Sequence, residues 1–373
     1  MMKRIIVLLI GNIDYDSRVQ KEISNFISLG FKITLFLWNW EPYKYKKERV
    51  RIVNAKLSNY GIKDKKLTFI TRFLKFIRYW HFASKEVKKE NFKFIHCNDL
   101  ITLGVIFFLP KHYHKNVIYD AHDLLPERYK KKGVKYFFWG FLEKKLIKKI
   151  DTVIVPEINR GRYLKTKYKL HKMPLLISNY PIYQKINTIN VKKELKLPND
   201  NILLCYQGFI DKRREIENMI LSLKYIPERF TLLLIGYAFG DYIIKLKRLV
   251  MEEQLESRVF FYGKVSRYKL LQTVAGCDIS LALYQNNGIN NYLCASNKVF
   301  DSIMAGVKVI TNDYPPHKNL RCYEFIRLIS TVDPKNLAAH ILELGQSDTE
   351  IPDSIKKQFS WDSLFDVFKE IYN

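Results

Sequence analysis

A chain of 373 residues, 47% of them hydrophobic, can fill two or three ordinary domains and is not a disordered polymer. Against 37 acidic residues stand 63 lysines and arginines; the formal charge of +26 calls for an anionic partner, whether nucleic acid, an acidic membrane surface or a polyanionic substrate. The five cysteines are scattered and form no CxxC, which fits free thiols in a reducing compartment and argues against a disulfide framework or a zinc site.

The chain opens MMKRIIVLLIGNIDYDSR. Its apolar run Ile5–Ile10 is too short for a signal peptide, and no small-x-small site follows, so a buried first strand is expected. No stretch reaches the roughly 18 apolar residues that span a bilayer. The expected location is the cytoplasm, in solution or at the inner face of the membrane. The segment GNIDYDSRVQKE makes a turn at Gly11 and Asn12 and opens a helix with Asp16 and Arg18 near its start, a phosphate or acceptor mouth by position. It lacks GxGxxG, which disfavours a nicotinamide cofactor.

A helix over 17–29 and a strand over Lys32–Trp38 follow. The segment 66–82 then places Phe69, Phe73, Phe76 and Trp80 at helical spacing, with Arg72, Lys75 and Arg78 among them. A second basic aromatic stretch, 128–150, mixes Lys130–Lys132 with Tyr136, Phe137, Phe138 and Trp139. Such helices suit an anionic membrane surface, with Phe73, Phe76 and Trp139 as inserting aromatics. The alternative is that the aromatics face the core and the lysines are merely solvated. Nucleic acid is disfavoured, because no recognised binding signature is visible.

Strands are expected at Phe94–His96, Asn116–Tyr119 and Thr152–Val155. IHCNDL carries His96 and Asp99 to one strand end, and IYDAHDLLPE carries Asp120, His122, Asp123 and Glu127 to the next. Acids and histidines at neighbouring strand ends define a cleft rim, with His122 and Asp120 as catalytic candidates. Their spacing matches no tight metal-ligand pattern, and no metal is required. A polar segment with Pro181 suggests a linker at 181–194.

The second half repeats the alternation. Strands are expected at Ile202–Tyr206, Phe230–Ile235, Val259–Tyr262, Ile279–Leu283 and Val307–Thr311, with helices over 214–224, 241–254, 267–275 and 298–304. The expected fold class is α/β, two doubly wound Rossmann-like domains, 1–182 and 195–356. In YQGFIDKRREIEN, Gly208 permits close backbone approach, and an arginine at that mouth can neutralise a diphosphate. In SNKVFDSIMAG, Ser296, Asn297 and Lys298 precede a helix, and Asp301 offers a carboxylate to hydroxyl donors. A solvated helix cap accounts for the same residues.

Six blocks in order resemble the retaining family 4 glycosyltransferases of GT-B fold. DSRVQKEISNFISLGFKITLF resembles their opening strand–helix–strand, and HCNDLITLG with IYDAHDLLPE their "HxHDxxTL … YDxHExxPE". YQGFIDKRREIENMI resembles "YQGxxxxxRGxExLI"; LLLIGYAFGDY, with Gly236, and RVFFYGKVSRYKLLQTVAGCDISLALY resemble nucleotide-domain blocks. SNKVFDSIMAGVKVITND resembles "PNKLFEYMAAGxPVIAxD", and FSWDSLFDVFKEIY a C-terminal helix (359–373) that returns to the first domain.

The resemblance implies that the two domains face a cleft and bind the acceptor and the nucleotide sugar respectively, with a nucleotide-diphosphate sugar as co-substrate and no separate cofactor. Asn297, Lys298 and Asp301 would bind its ribose and diphosphate, Arg214 would steady the diphosphate, and His122 would lie near the reacting sugar. Gly11, Asn12, Asp16, Arg18 and Asp99 fall on the acceptor side. A lipid-linked or polysaccharide acceptor at the cytoplasmic membrane face fits the basic first half. Leu293 stands where many relatives have the first of two glutamates, Asn98 where many have histidine, Ser296 where many have proline, and Phe209 where some have arginine. The competing expectations are a nucleotide-sugar epimerase of GT-B fold and a non-catalytic partner subunit.

Overall fold

The computed structural model describes residues 3–39, 41–55, 69–129, 133–238 and 240–373. Lys130–Lys132 and the stretch 66–68, part of the expected basic helices, lie outside the described residues. The chain forms two compact units: Met1–Ser178 with Leu364–Asn373, and Asn179–Ser363. The second unit therefore begins ahead of the expected linker and runs past 356.

Unit 1 carries β1 (Arg4–Ile10), β2 (Lys32–Trp38), β3 (Val50–Asn54), β4 (Phe94–Asn98), β5 (Val117–Asp120), β6 (Thr152–Val155) and β7 (Leu175–Leu176). They form one sheet in the order β3-β2-β1-β4-β5-β6-β7, every pair parallel. Helices α1 (Ser17–Ser28), α2 (Phe69–Val87), α3 (Asp99–Leu103), α4 (Val134–Ile147) and α5 (Ile158–Tyr168) lie along the connections. Ile5, Ile6, Val7 and Leu8 of β1 are all fully buried, as a strand covered on both faces requires. The Asp16 carboxylate accepts from the Val19 amide and starts α1; Gly30, at φ +82°, ends it.

The C-terminal helix, Phe365–Tyr372, belongs to unit 1. Phe368 and Tyr372 lie 4.9 and 4.7 Å from the ring of Phe26 on α1, and Tyr372 lies 5.5 Å from Phe94 on β4. Its regular α-turns begin at Phe365, after the 3-10 turn Trp361–Leu364, and thus later than the expected 359.

Unit 2 contains α6 (Val191–Glu194), β8 (Ile202–Phe209), α7 (Ile216–Ser222), β9 (Phe230–Tyr237), α8 (Tyr242–Glu252), β10 (Val259–Gly263) and α9 (Arg267–Val274). It continues with β11 (Ile279–Ala282), α10 (Ile289–Tyr292), α11 (Asn297–Ala305), β12 (Lys308–Asn312), β13 (Ile326–Ile329), α12 (Pro334–Gly345) and α13 (Asp353–Gln358). The strand order is β10-β9-β8-β11-β12-β13, again all parallel. Leu204, Leu232, Leu234 and Leu281 meet Ile216 and Ile220 of α7 and Leu337 and Ile341 of α12 in one fully buried core. Each such side chain contributes about 1.5–3 kcal/mol. A strand ending near Ile177, ahead of the linker, was expected and is β7; β3 and β13 were not expected, because VRIVN and IRLI interleave arginine with apolar residues at sheet edges.

Candidate functional site

In both sheets the strand order reverses beside the first strand, between β1 and β4 and between β8 and β11. Open parallel sheets bind ligands beyond the carboxyl ends of strands at such a point. In unit 1 those ends deliver Gly11, Asp99 and the Asp120–His122 turn.

Asp120 is fully buried at the end of β5. Arg18 donates to both of its oxygens, Nε to Oδ2 at 2.8 Å and Nη2 to Oδ1 at 3.0 Å. His122 Nε2 donates to Oδ2 at 2.9 Å. Burial alone would raise the Asp120 pKa, but Arg18 and His122 hold it well below the usual carboxylate value. Burial alone would lower that of His122, but Asp120 and Asp99 raise it from 6.5 to about 10. His122 is therefore an imidazolium at neutral pH, a hydrogen-bond donor and not a base.

Asp120 was expected to be catalytic. It is fully buried, and its two oxygens already accept from Arg18 and His122. Arg18, expected at the acceptor, is itself buried, with Nη1 on the Ile177 carbonyl at 2.8 Å. Asp16 caps α1, and Asn12 caps the turn Ile13–Tyr15 while donating to the Pro42 carbonyl. Gly11 takes φ +144°, a backbone that favours glycine. His96, expected on the rim, is fully buried.

Asp99 is only partly buried, and its φ of +66° is strained for a side-chain-bearing residue. Burial raises its pKa to about 6; His122 opposes that shift, while Asp123, Asp120 and Asp16 add to it. A carboxyl near 6 can accept a proton from a hydroxyl close to neutral pH.

In unit 2, Gly208 and Gly236 pair across β8 and β9 at φ +117° and +151°. A Cβ on Gly236 would lie 1.8 Å from the Gly208 carbonyl oxygen, and one on Gly208 would lie 3.2 Å from Lys298 Cε. Only glycine lets these strand ends and the lysine approach so closely. Lys298 Nζ donates to the Tyr284 hydroxyl at 2.9 Å, and the Arg214 guanidinium lies 4.3 Å from the centre of the Tyr284 ring. Arg214 Nε is buried without a hydrogen-bond partner among the described residues. Two cations thus converge on one tyrosine beside two glycines, an arrangement whose charge and open backbone can receive an anion such as a diphosphate.

Tyr284 was not anticipated, although it lies two residues past the strand Ile279–Ala282 and a strand end was the available signal. Ser296 is fully buried, and its hydroxyl bonds Tyr284 at 2.8 Å. It therefore leaves the α11 N-terminus without a side-chain cap, and exposed Asn297 accepts from Asn179 at 3.3 Å. Asp301 lies in the second turn of α11. Arg267 donates to both of its oxygens, at 2.7 and 2.5 Å, so the carboxylate expected to be open is already clamped. Leu293 is buried.

The expected membrane aromatics form a core. Phe73 lies 4.8 Å from Phe138, Phe76 lies 5.9 Å from Trp139, and Phe76 and Trp139 are buried. Arg72 and Lys75 are partly buried, and Arg78 is exposed. Other apolar residues face outward: Ile70 and Leu74 of α2, and Val134, Phe137 and Phe141 of α4, the last two 63% and 59% exposed. Lys135, Lys144, Lys145, Lys148 and Lys149 are also exposed, whereas the one acid of α4, Glu143, is buried under the hydroxyls of Tyr119 and Tyr168. Among the described residues no helix is long and apolar enough to cross a membrane.

No family model matches the chain, and no curated protein matches it. Solved structures do. Sucrose-phosphate synthase from Thermosynechococcus elongatus superposes with TM-score 0.78 at 18% identity, over 99% of this chain and 98% of that one. HepE of Anabaena, in complex with UDP and glucose, gives 0.71 at 13% identity, over 100% and 99%. WaaG, a glycosyltransferase involved in lipopolysaccharide biosynthesis, gives 0.68 at 14%, over 99% and 98%. The chain has the GT-B fold, built of two Rossmann-like domains.

Proposed function

We propose that the chain is a retaining glycosyltransferase that moves a sugar from a nucleotide-diphosphate sugar to a lipid-linked or polysaccharide acceptor at the cytoplasmic membrane face. The observation that carries the reading is the convergence of Lys298 and Arg214 on Tyr284, beside Gly208 and Gly236. That cradle lies where a doubly wound sheet binds phosphates, and the similar HepE structure holds UDP and glucose.

Lys298, Arg214 and the uncapped α11 N-terminus would neutralise the diphosphate as it leaves, the charge that a metal ion supplies elsewhere. Asp301, still carrying Arg267, has lone pairs left for a ribose hydroxyl. His122, fixed by Asp120 through Nε2, would donate from its other nitrogen to a sugar oxygen. Asp99 would accept from the acceptor hydroxyl. The retaining outcome follows from the sequence blocks that resemble the retaining family. The exposed apolar residues and lysines of α4 support docking to anionic lipid, near which such an acceptor resides.

Incubation of the purified protein with UDP-, GDP- and dTDP-sugars and bacterial lipid extract tests this. Labelled sugar should pass to the lipid or glycan fraction with release of the nucleoside diphosphate. An epimer in place of transfer would mark the epimerase reading. No turnover with any donor would favour a non-catalytic subunit, which buried Leu293 and clamped Asp301 would suit.

A further inference from the structure

We propose that Tyr372 is a positioning residue for the unit 1 site: its hydroxyl selects the tautomer of His96 and, through Glu22, Arg18 and Asp120, holds His122 in place. The proposal rests on the functional reading above only for its turnover test.

A continuous buried chain of polar groups links the C-terminal helix to His122. The Tyr372 hydroxyl lies 2.6 Å from His96 Nδ1. His96 Nε2 faces Glu22 Oε2 at 3.2 Å and Asp120 Oδ2 at 3.8 Å. Glu22 Oε1 lies 3.1 Å from Arg18 Nε, and Arg18 grips Asp120, which accepts from His122. Tyr372, His96, Glu22 and Asp120 are each 1% exposed or less. One ligand atom from each of Glu22, His96 and Asp120 falls within 4.8 Å of the others, as around a metal, but the Arg18 guanidinium already supplies the cation there.

The tautomer follows from donor counting. Burial, Glu22 and Asp120 raise the Tyr372 pKa well above its ordinary value, so the hydroxyl keeps its proton and donates it to His96 Nδ1. A neutral ring then carries its own proton on Nε2, on the side of the Glu22 and Asp120 carboxyl oxygens, although it meets neither of them in hydrogen-bond geometry. The opposite tautomer would turn a lone pair toward those oxygens, 3.2 and 3.8 Å away, and repel them. Arg18 is shared between Glu22 and Asp120, so a Glu22 displaced by that repulsion draws it away from Asp120. His122 then loses its anchor. The charged groups around His122 are Asp120 of β5, Asp99 of α3, Arg18 of α1, Asp123 of its own turn, and Arg160 of α5, which donates to the His122 carbonyl.

Tyr372→Phe keeps the ring and removes only the donor. The control is Phe368→Leu, which loosens the same helix against Phe26 and trims the ring packed 4.7 Å from that of Tyr372, but leaves every polar group of the chain in place. In 15N NMR of the wild type, His96 should show the Nε2–H tautomer; an Nδ1–H tautomer would overturn the proposal without any variant. In Y372F the His122 titration should fall by about one unit, a 10-fold change in the ionisation equilibrium. In F368L it should stay put while the thermal midpoint drops. An unmoved His122 in Y372F, or an equal shift in F368L, would overturn the proposal. In transfer assays Y372F should lower kcat and leave the donor KM unchanged. A His122 shift in a protein that transfers no sugar would sink the functional reading and leave the positioning role standing.

Discussion

His122 Nε2 lies 2.9 Å from Asp120 Oδ2, and the two residues are separated by a single alanine at the end of β5. Such nearness in sequence makes the pair a local product of one strand end. Its charge state is not local, because Arg18 of α1 bonds both oxygens of the same carboxylate.

The first prediction concerns pH and stability. The folded pKa of His122 is raised from 6.5 to about 10, so its contribution to stability is full below pH 6.5 and is lost as pH rises through 10. H122A should lose most stability relative to wild type in mildly acidic buffer and converge with it above pH 10. Urea unfolding across that range measures the gap; a constant gap would mean that His122 is not held as a cation.

Asp99 gives a separate pH signature. If its carboxylate accepts the acceptor proton, kcat/KM for the acceptor should rise through about pH 6 and level off. D99N should flatten that limb and lower the plateau by about 10²–10⁴-fold. A limb that survives in D99N belongs to another group.

Lys298→Ala and Arg214→Ala should each weaken nucleoside diphosphate binding by about 1.5–3 kcal/mol, the usual value of a hydrogen bond to a charged group. Folding should be little affected. Asp301→Ala should also weaken donor binding, and Arg267→Ala, which frees the Asp301 carboxylate, should not. Calorimetry with UDP and GDP gives the four numbers; unchanged affinity in both K298A and R214A removes the donor cradle.

Gly236→Ala should be more damaging than its size suggests. The added methyl would sit 1.8 Å from the Gly208 carbonyl oxygen, so β8 and β9 must part at the cradle. Lowered thermal stability together with lost donor binding is expected; a fully stable, donor-binding G236A would show that the strand ends move freely.

The membrane prediction now separates core from surface. Phe137→Ser with Phe141→Ser should reduce the salt-resistant part of vesicle binding without loss of fold. Charge reversal at Lys144, Lys145, Lys148 and Lys149 should remove the salt-sensitive part, about 1 kcal/mol for each lysine near the anionic surface. Phe76→Ala or Trp139→Ala should instead cost about 3–5 kcal/mol of stability. Sedimentation with anionic and zwitterionic vesicles at low and high salt decides; equal binding to both lipids, or to neither, would assign the basic face to another polyanion.

Alternating apolar runs and amphipathic stretches by themselves determined two parallel α/β units, because a strand buried on both faces is written locally as an unbroken run such as IIVLL. Gly208, Arg214 and Lys298 were named from expected strand ends and helix starts; Gly208 is the last but one residue of β8, Arg214 lies in the connection from β8 to α7, and Lys298 is the second residue of α11. An edge strand such as VRIVN was not legible, since none of its residues is fully buried and no unbroken apolar run marks it.

Only the tertiary structure decided which polar groups remain available. Asp120, Arg18 and His96 look like rim residues in the sequence, yet residues far along the chain neutralise and bury them. Asp301 is held by Arg267, 34 positions earlier. On α2 and α4 the helical period marks a ring of aromatics, but packing of Phe69 and Phe73 on Phe138 selects which turn inward and leaves Phe137 and Phe141 outside. Ion pairing and burial are pairwise properties of residues distant in the chain, so no local pattern encodes them.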